Sequence, residues 1–141
     1  MTISPLPDDW TLPAITPFNR AWFESGTVAI QTCEQCGARQ HPPEEVCHRC
    51  GAMTFGTVEL APTGTVHTFT VVHYPVNRAL AGSVPYVVAV VALDDDPEIR
   101  VLANLLDVPP EAVAIGMPVR AVWHERSDDQ GTVQLLQWTP A

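Results

Sequence analysis

Lysine is absent from the chain, and all seven basic residues are arginine. Charged residues make up only 16% of the 141 positions, against roughly 25% in an average soluble domain. Sixteen acidic residues leave a formal net charge of −9. Such a chain lacks the basic surface that phosphate backbones require, which argues against a generic nucleic-acid binder. A long apolar run is missing too. The longest, Val84 to Leu93, falls well short of the roughly 20 residues that a membrane-spanning helix needs. The start carries Asp8 and Asp9 and no basic residue before Arg20, unlike a secretory leader. The expectation is a cytoplasmic protein that makes no use of a membrane. The sequence also lacks G-x-S-x-G, H-E-x-x-H, P-loop and G-x-G-x-x-G patterns, so no standard catalytic motif is available.

The hydrophobic share is 46%. That is near average and excludes a disordered chain. The length suits one compact domain, or a small one with an appendage. Fourteen prolines disfavour long helices and favour turns and edges.

The cysteines form the strongest signal. Cys33, Cys36, Cys47 and Cys50 fall in the pattern C-x2-C-x10-C-x2-C, and each pair is followed by glycine, Gly37 and Gly51. A C-x2-C turn aims two thiolates at one point, and the glycine lets the chain fold back around them. Two such knuckles supply four soft ligands to a tetrahedral ion. Zn²⁺ suits them best, and a rubredoxin-type iron uses the same set. A site closed by four thiolates holds shape and leaves no position to activate water. It adds two negative charges to an already acidic chain, which weakens the nucleic-acid reading further. His41 and His48 lie in the same segment and read as surface residues.

Around the knuckles the text divides into three parts: an extended segment and helix over 1–27, a ribbon over 28–58 and a barrel over 59–141. Residues 1 to about 15 are proline-rich, with Trp10 and Leu12 as anchors. Thr16-Pro17 predicts a helix start. Phe18, Ala21, Trp22 and Ser25 share its face, and Gly26 ends it. Val28 to Thr32 reads as a strand entering the ribbon, and Pro42-Pro43 as a turn at its middle. From Leu60 onward strands and turns follow. They are Thr65 to Tyr74, with Gly64 as a candidate bulge, then Tyr86 to Leu93, Ile99 to Asp107, Val119 to Glu125 and Thr132 to Trp138. Asp94–Asp96 reads as a solvated turn, and Pro109 to Ile115 as a short helical piece. Five strands with a helical piece between the third and fourth predict a mostly β chain ending in an OB-fold barrel.

The strand at 86–93 is apolar on both faces, with Val88 and Val90 on the side opposite Val87 and Val91. A small barrel has one inside, so the surplus face calls for a cover. Phe18, Trp22, Val88 and Val90 are therefore the candidate partner-facing residues. His67 and His73 share a strand face and would be the acid/base pair of a small enzyme. The bland alternative is two hydrogen-bonded or solvated histidines. Arg78, in the 75–85 loop, is a candidate for the phosphates of a small nucleotide such as coenzyme A. Trp123, Trp138 and Tyr86 would stack bases in a single-strand binder, or fill the core.

Several stretches together carry a resemblance. They are Trp22–Gly26, Gln31–Gly37, His41–Pro43, Cys47–Gly51, Gly64–Val66, Pro85–Ala89 and Gly116–Val119. With them the chain resembles the zinc-ribbon/OB-fold family that accompanies acyl-CoA enzymes, long known as a domain of unknown function. The resemblance covers nearly the whole length. It implies an N-terminal helical hairpin, a rubredoxin-like ribbon with structural zinc on Cys33, Cys36, Cys47 and Cys50, and a C-terminal OB barrel. The implied role is a non-catalytic subunit in a hetero-oligomer with a thiolase-like enzyme: a retro-aldolase, a thiolase or an acyltransferase, including those of steroid side-chain breakdown. There it would stabilise the enzyme and help shape acyl-CoA access. The alternatives are a MaoC-like enoyl-CoA hydratase as partner, or a nucleotide-binding or single-strand-binding OB protein.

Overall fold

A computed structural model describes residues 4–141, so the first three positions of the extended segment lie outside the described residues. The helix is short, α1 from Arg20 to Glu24. Its start is fixed reciprocally. Asn19 N–H donates to Thr16 Oγ1 at 3.2 Å, and Thr16 N–H donates to Asn19 Oδ1 at 2.7 Å. Thr16 thus closes the turn ahead of the helix, with Asn19 in the returning role usually taken by Glu or Gln. The helix itself begins at Arg20, three residues later than the Thr16-Pro17 signal predicts, with Asn19 as its N-cap. Gly26, at φ +64, turns the chain out of the helix. The N-terminal segment is tied down through its main-chain carbonyls. Arg126 donates to the Pro7 and Leu6 carbonyls, each at 3.0 Å, and Ser83 Oγ donates to the Pro5 carbonyl at 2.8 Å.

Three strands form the ribbon sheet: β1 (Val28–Cys33), β2 (Arg39–Gln40) and β3 (Phe55–Leu60), in the order β2-β1-β3. β3 pairs with β1 along its whole length, from Cys33↔Phe55 to Val28↔Leu60. Five further strands close a barrel: β4 (Thr63–Val72), β5 (Tyr86–Leu93), β6 (Arg100–Leu105), β7 (Pro118–Asp128) and β8 (Gly131–Pro140). Their order is β4-β5-β6-β8-β7, closed by β4 on β7. A 3₁₀ turn at Pro110–Ala112 separates the third and fourth of them. This is the mostly β, OB-type arrangement expected from the sequence.

The two sheets share one core. Val28 and Ile30 of β1 and Leu60 of β3 are buried with Val66, Val91, Val101 and Trp138 of the barrel. On β5 the alternation is strict: Val87, Ala89, Val91 and Leu93 face inward and are buried, and Val88 and Val90 face outward and are half-buried. The Asp94–Asp96 turn is less solvated than its composition suggests. Asp95 accepts the Ala61 N–H at 2.7 Å, and Asp96 meets Arg39 at 3.2 Å. The turn therefore tethers ribbon to barrel, although an ion pair this exposed is worth well under about 1 kcal/mol.

Gly64 is not the bulge. The ladder between β4 and β5 slips between Val66 and Thr68, which makes His67 the extra residue. The slip moves Phe69 and Val71 onto the inward face, against the core. Gly64 meets a different need. A Cβ there would run into the Ala92 carbonyl oxygen and lie 2.6 Å from Val91 Cγ1. Gly64→Ala is therefore expected to destabilise the chain by about 1–3 kcal/mol, as overpacking does. Urea unfolding should show a lower midpoint with an unchanged slope.

Candidate metal centre and surrounding surfaces

Each knuckle is built by its own backbone. Cys33 N–H donates to the Ala38 carbonyl at 2.8 Å, and Gly37 N–H to the Cys33 carbonyl at 2.9 Å. The second knuckle repeats this: Cys47 N–H to Ala52 at 2.8 Å, and Gly51 N–H to Cys47 at 3.0 Å. Gly37 and Gly51 sit at φ +75 and +78, a region that side chains other than glycine's rarely occupy.

The four sulfurs converge. Cys33 Sγ lies 3.6 Å from Cys50 Sγ, Cys36 Sγ lies 3.7 Å from Cys47 Sγ, and all four fall within 4.8 Å of one another. A tetrahedron of sulfurs at a Zn–S distance of about 2.3 Å has an edge of about 3.8 Å. The donor set and its spacing therefore fit a tetrahedral ion. Cys33 and Cys47 are buried, and Cys36 and Cys50 lie toward the surface.

The thiols are unequal. The backbone N–H groups of Cys50 and then Arg49 hold Cys47 down to about 6. The N–H of Cys36 is the largest of the effects that lower Cys33. The Ala52 N–H favours the Cys50 thiolate too, but desolvation and the three neighbouring sulfurs outweigh it and push that thiol up to about 12. Four thiolates in one place repel one another, and a dication removes that repulsion.

Two buried glutamines hold the knuckles in place, and composition gave no hint of them. Gln40 Nε2 donates to Gln31 Oε1 at 2.7 Å. Gln31 in turn bonds the Glu44 main chain through both of its amide atoms, and Gln40 Oε1 accepts the His48 N–H at 3.0 Å. The place of Gln31 between Ala29 and Cys33 on one face of β1 was the one available signal for it, and Gln40 in the two-residue β2 had none.

His48 is exposed, as expected, and its ring bonds Gln40. His41 corrects the expectation. It is largely buried, its ring packed 4.3 Å from that of Trp22. Burial holds the imidazole down to about 4, from an ordinary value of 6.5. Between those values the unfolded chain takes up a proton that the folded chain refuses. Stability therefore falls as pH drops from 6.5 toward 4. His41→Phe removes this coupling. Relative to wild type, the variant should gain roughly 2–3 kcal/mol between pH 7 and pH 4 in urea unfolding.

The remaining candidates are scattered. Trp22 packs against the core and Phe18 is half-buried. Val88 and Val90 are neighbours of Asn104 and Leu102 on the outer wall. His67 is the bulge residue and His73 lies beyond the end of β4. Six residues of extended chain separate them by about 20 Å, so no acid/base pair is formed. Arg78 is exposed at the start of a 3₁₀ turn that buries Leu80 and is capped by Asn77, whose Oδ1 accepts the Ala79 N–H at 2.9 Å. Trp138 is fully buried and Trp123 packs against the core, so neither is a base-stacking platform. Among the described residues no helix is long and apolar enough to cross a membrane.

A four-cysteine ribbon seated on a closed five-stranded barrel defines a zinc-ribbon/OB-fold protein. The chain belongs to the DUF35 family of such proteins: residues 24–55 match the ChsH2 rubredoxin-like zinc ribbon domain and residues 57–124 match the ChsH2 C-terminal OB-fold domain. It is similar to the solved "Ltp2-ChsH2(DUF35) aldolase", with 37% identity and a TM-score of 0.74, over 92% of this chain and 98% of that one. It is 34% identical over 98 residues to a "DUF35 domain-containing scaffold protein" of Methanocaldococcus jannaschii, which is 69% of this chain and 67% of that protein. It is 40% identical over 116 residues to the "Probable enoyl-CoA hydratase alpha subunit" of Thermomonospora curvata. That match takes in 80% of this chain and only 35% of the relative, so the chain spans about a third of that subunit's length.

Proposed function

We propose that the chain is a non-catalytic accessory subunit of a thiolase-like acyl-CoA enzyme. It stabilises that enzyme and helps shape acyl-CoA access. The observation that carries this reading is the near-complete match to the DUF35 chain of an aldolase, over 98% of that chain. In the same reading Cys33, Cys36, Cys47 and Cys50 ligate one structural Zn²⁺. The ion pins the ribbon and takes no part in bond making, because all four positions are filled by protein. Thiolates of this kind persist in a reducing compartment, which suits a cytoplasmic protein. The 40% match to a hydratase alpha subunit favours a second reading, in which the partner is a MaoC-like hydratase.

The test is to tag the chain in its own host, purify it gently and identify what elutes with it by mass spectrometry. A stoichiometric thiolase-like enzyme supports the first reading and a hydratase the second. A monomer that shifts neither on size exclusion overturns both. Metal analysis of the same sample separates zinc from iron.

A further inference from the structure

A groove of about 570 Å³ runs between α1, the 41–43 loop and the wall of the barrel where β6 and β8 part. Trp22, Phe23, Leu6, Leu102 and Leu135 line it. Its first notable feature is a free strand edge. β6 pairs with β5 throughout but meets β8 only at Leu105↔Trp138. Leu93 N–H donates to the Ile99 carbonyl, and Leu106 N–H to the Trp138 carbonyl. Odd-numbered residues of this strand therefore turn their backbone groups toward β5, and even-numbered ones toward the seam. Among the described residues, no strand lies beside Arg100 and Leu102 on that side.

The second feature is the groove's floor. Gln137 is only 5% exposed, and among the described residues its Oε1 has no hydrogen-bond partner. His41 Nδ1 is likewise buried and, among the described residues, unpartnered, and both residues line the groove. Orphaned polar atoms of this kind are rare in folded proteins and ask for an explanation. The third is the rim. Leu102 is 65% exposed, beside the half-buried Val90.

We propose that the groove receives an extended apolar segment of the partner enzyme, which adds as a strand along the free edge of β6. The inference rests on the accessory-subunit reading. A strand is the occupant whose alternating N–H and C=O groups match an open edge, and its alternate side chains fall into the apolar walls. A helix satisfies its own backbone and would leave the edge unpaired. A donor on the incoming segment, or one it draws in with it, supplies what Gln137 Oε1 lacks. A second copy of this chain is disfavoured by charge, since each copy carries −9.

The experiment compares amide hydrogen exchange of the free chain with that of the complex isolated from the host. It also measures the affinity of Leu102→Lys for the same partner. The exposed position lets this variant keep its fold, which circular dichroism and metal content check. The expected result is at least tenfold slower exchange across Arg100–Leu105 in the complex, with tenfold or greater weakening by Leu102→Lys. A complex that leaves β6 unprotected, or that binds the variant as tightly as wild type, overturns the strand-addition proposal and leaves the accessory role intact. Protection of β6 through concentration-dependent dimers of the chain alone overturns it in favour of a second copy. Failure to form any complex overturns the accessory reading itself.

Discussion

Cys36→Ser should remove the metal and the ribbon together. The segment from Cys33 to Thr54 has little else to order it. Its buried apolar cluster is Cys33, Ala38 and Cys47, backed by Ala52 and Phe55. Fixing each backbone residue costs roughly 1–2 kcal/mol, so ordering a segment of this length costs on the order of 20 kcal/mol or more. A cluster of two thiols and an alanine cannot offset that. A structural Zn²⁺ supplies about 10–16 kcal/mol in comparable small sites, and the glutamine network adds roughly 1 kcal/mol per hydrogen bond. Loss of one thiolate leaves three ligands and an open position. The expected outcome is a fall from one metal ion per chain to less than half, with aggregation or a melting point lower by tens of degrees. Met53→Ser, at an exposed position in the same segment, is the control and should change stability by less than about 0.5 kcal/mol. Inductively coupled plasma analysis and thermal circular dichroism read both. A soluble Cys36→Ser chain that melts like wild type would falsify the metal-pinned ribbon.

The damage should reach beyond the ribbon. Val28 and Ile30 sit in the same strand as Cys33, and both are buried in the barrel core. Melting of β1 would expose that core. A barrel that stayed folded in Cys36→Ser would mean that the two sheets are energetically independent despite their shared core.

Features carried by local chemistry were legible in the sequence. The knuckles could be read from spacing alone because C-x2-C-G encodes its own turn. β5 and its hairpin with β6 could be read because an aspartate turn separates two apolar runs rich in valine and leucine. Features that depend on where distant segments meet could not be read. Gly64 looks like a bulge residue by type, yet its role comes from Ala92 and Val91 crossing over it. His67 gives no local sign that the register will slip there. His41 reads as a surface histidine until Trp22, 19 positions earlier in the chain, lies across it. The buried glutamines follow the same rule. Their partners are main-chain groups brought near by the ribbon turn, and composition carries no record of those.

Trp138→Ala should give the largest loss of stability of any single substitution in the barrel. The side chain is fully buried, and its indole N–H donates to the Val101 carbonyl at 3.3 Å. The same residue's carbonyl accepts the Leu106 N–H at 2.8 Å and forms the one residue pair between β6 and β8. Truncating a buried tryptophan costs about 3–5 kcal/mol, against a total of about 5–15 kcal/mol for a typical domain. Trp138→Phe separates the two contributions. It keeps most of the packing and loses the indole donor, so it should cost about 1–3 kcal/mol. Urea unfolding at equilibrium measures both. If the alanine variant lost less than about 1 kcal/mol, the seam would not be held by this residue, and the barrel would be closed by its other walls. Because β6 is fastened to β8 at this end only, the free edge near Leu102 begins a few residues away. Trp138→Phe should therefore also quicken hydrogen exchange at Leu106, whose amide depends on the Trp138 carbonyl, before it affects the β5 side of the strand. A uniform rise across β5 and β6 would instead mean that the sheet opens as a unit, with no separate seam.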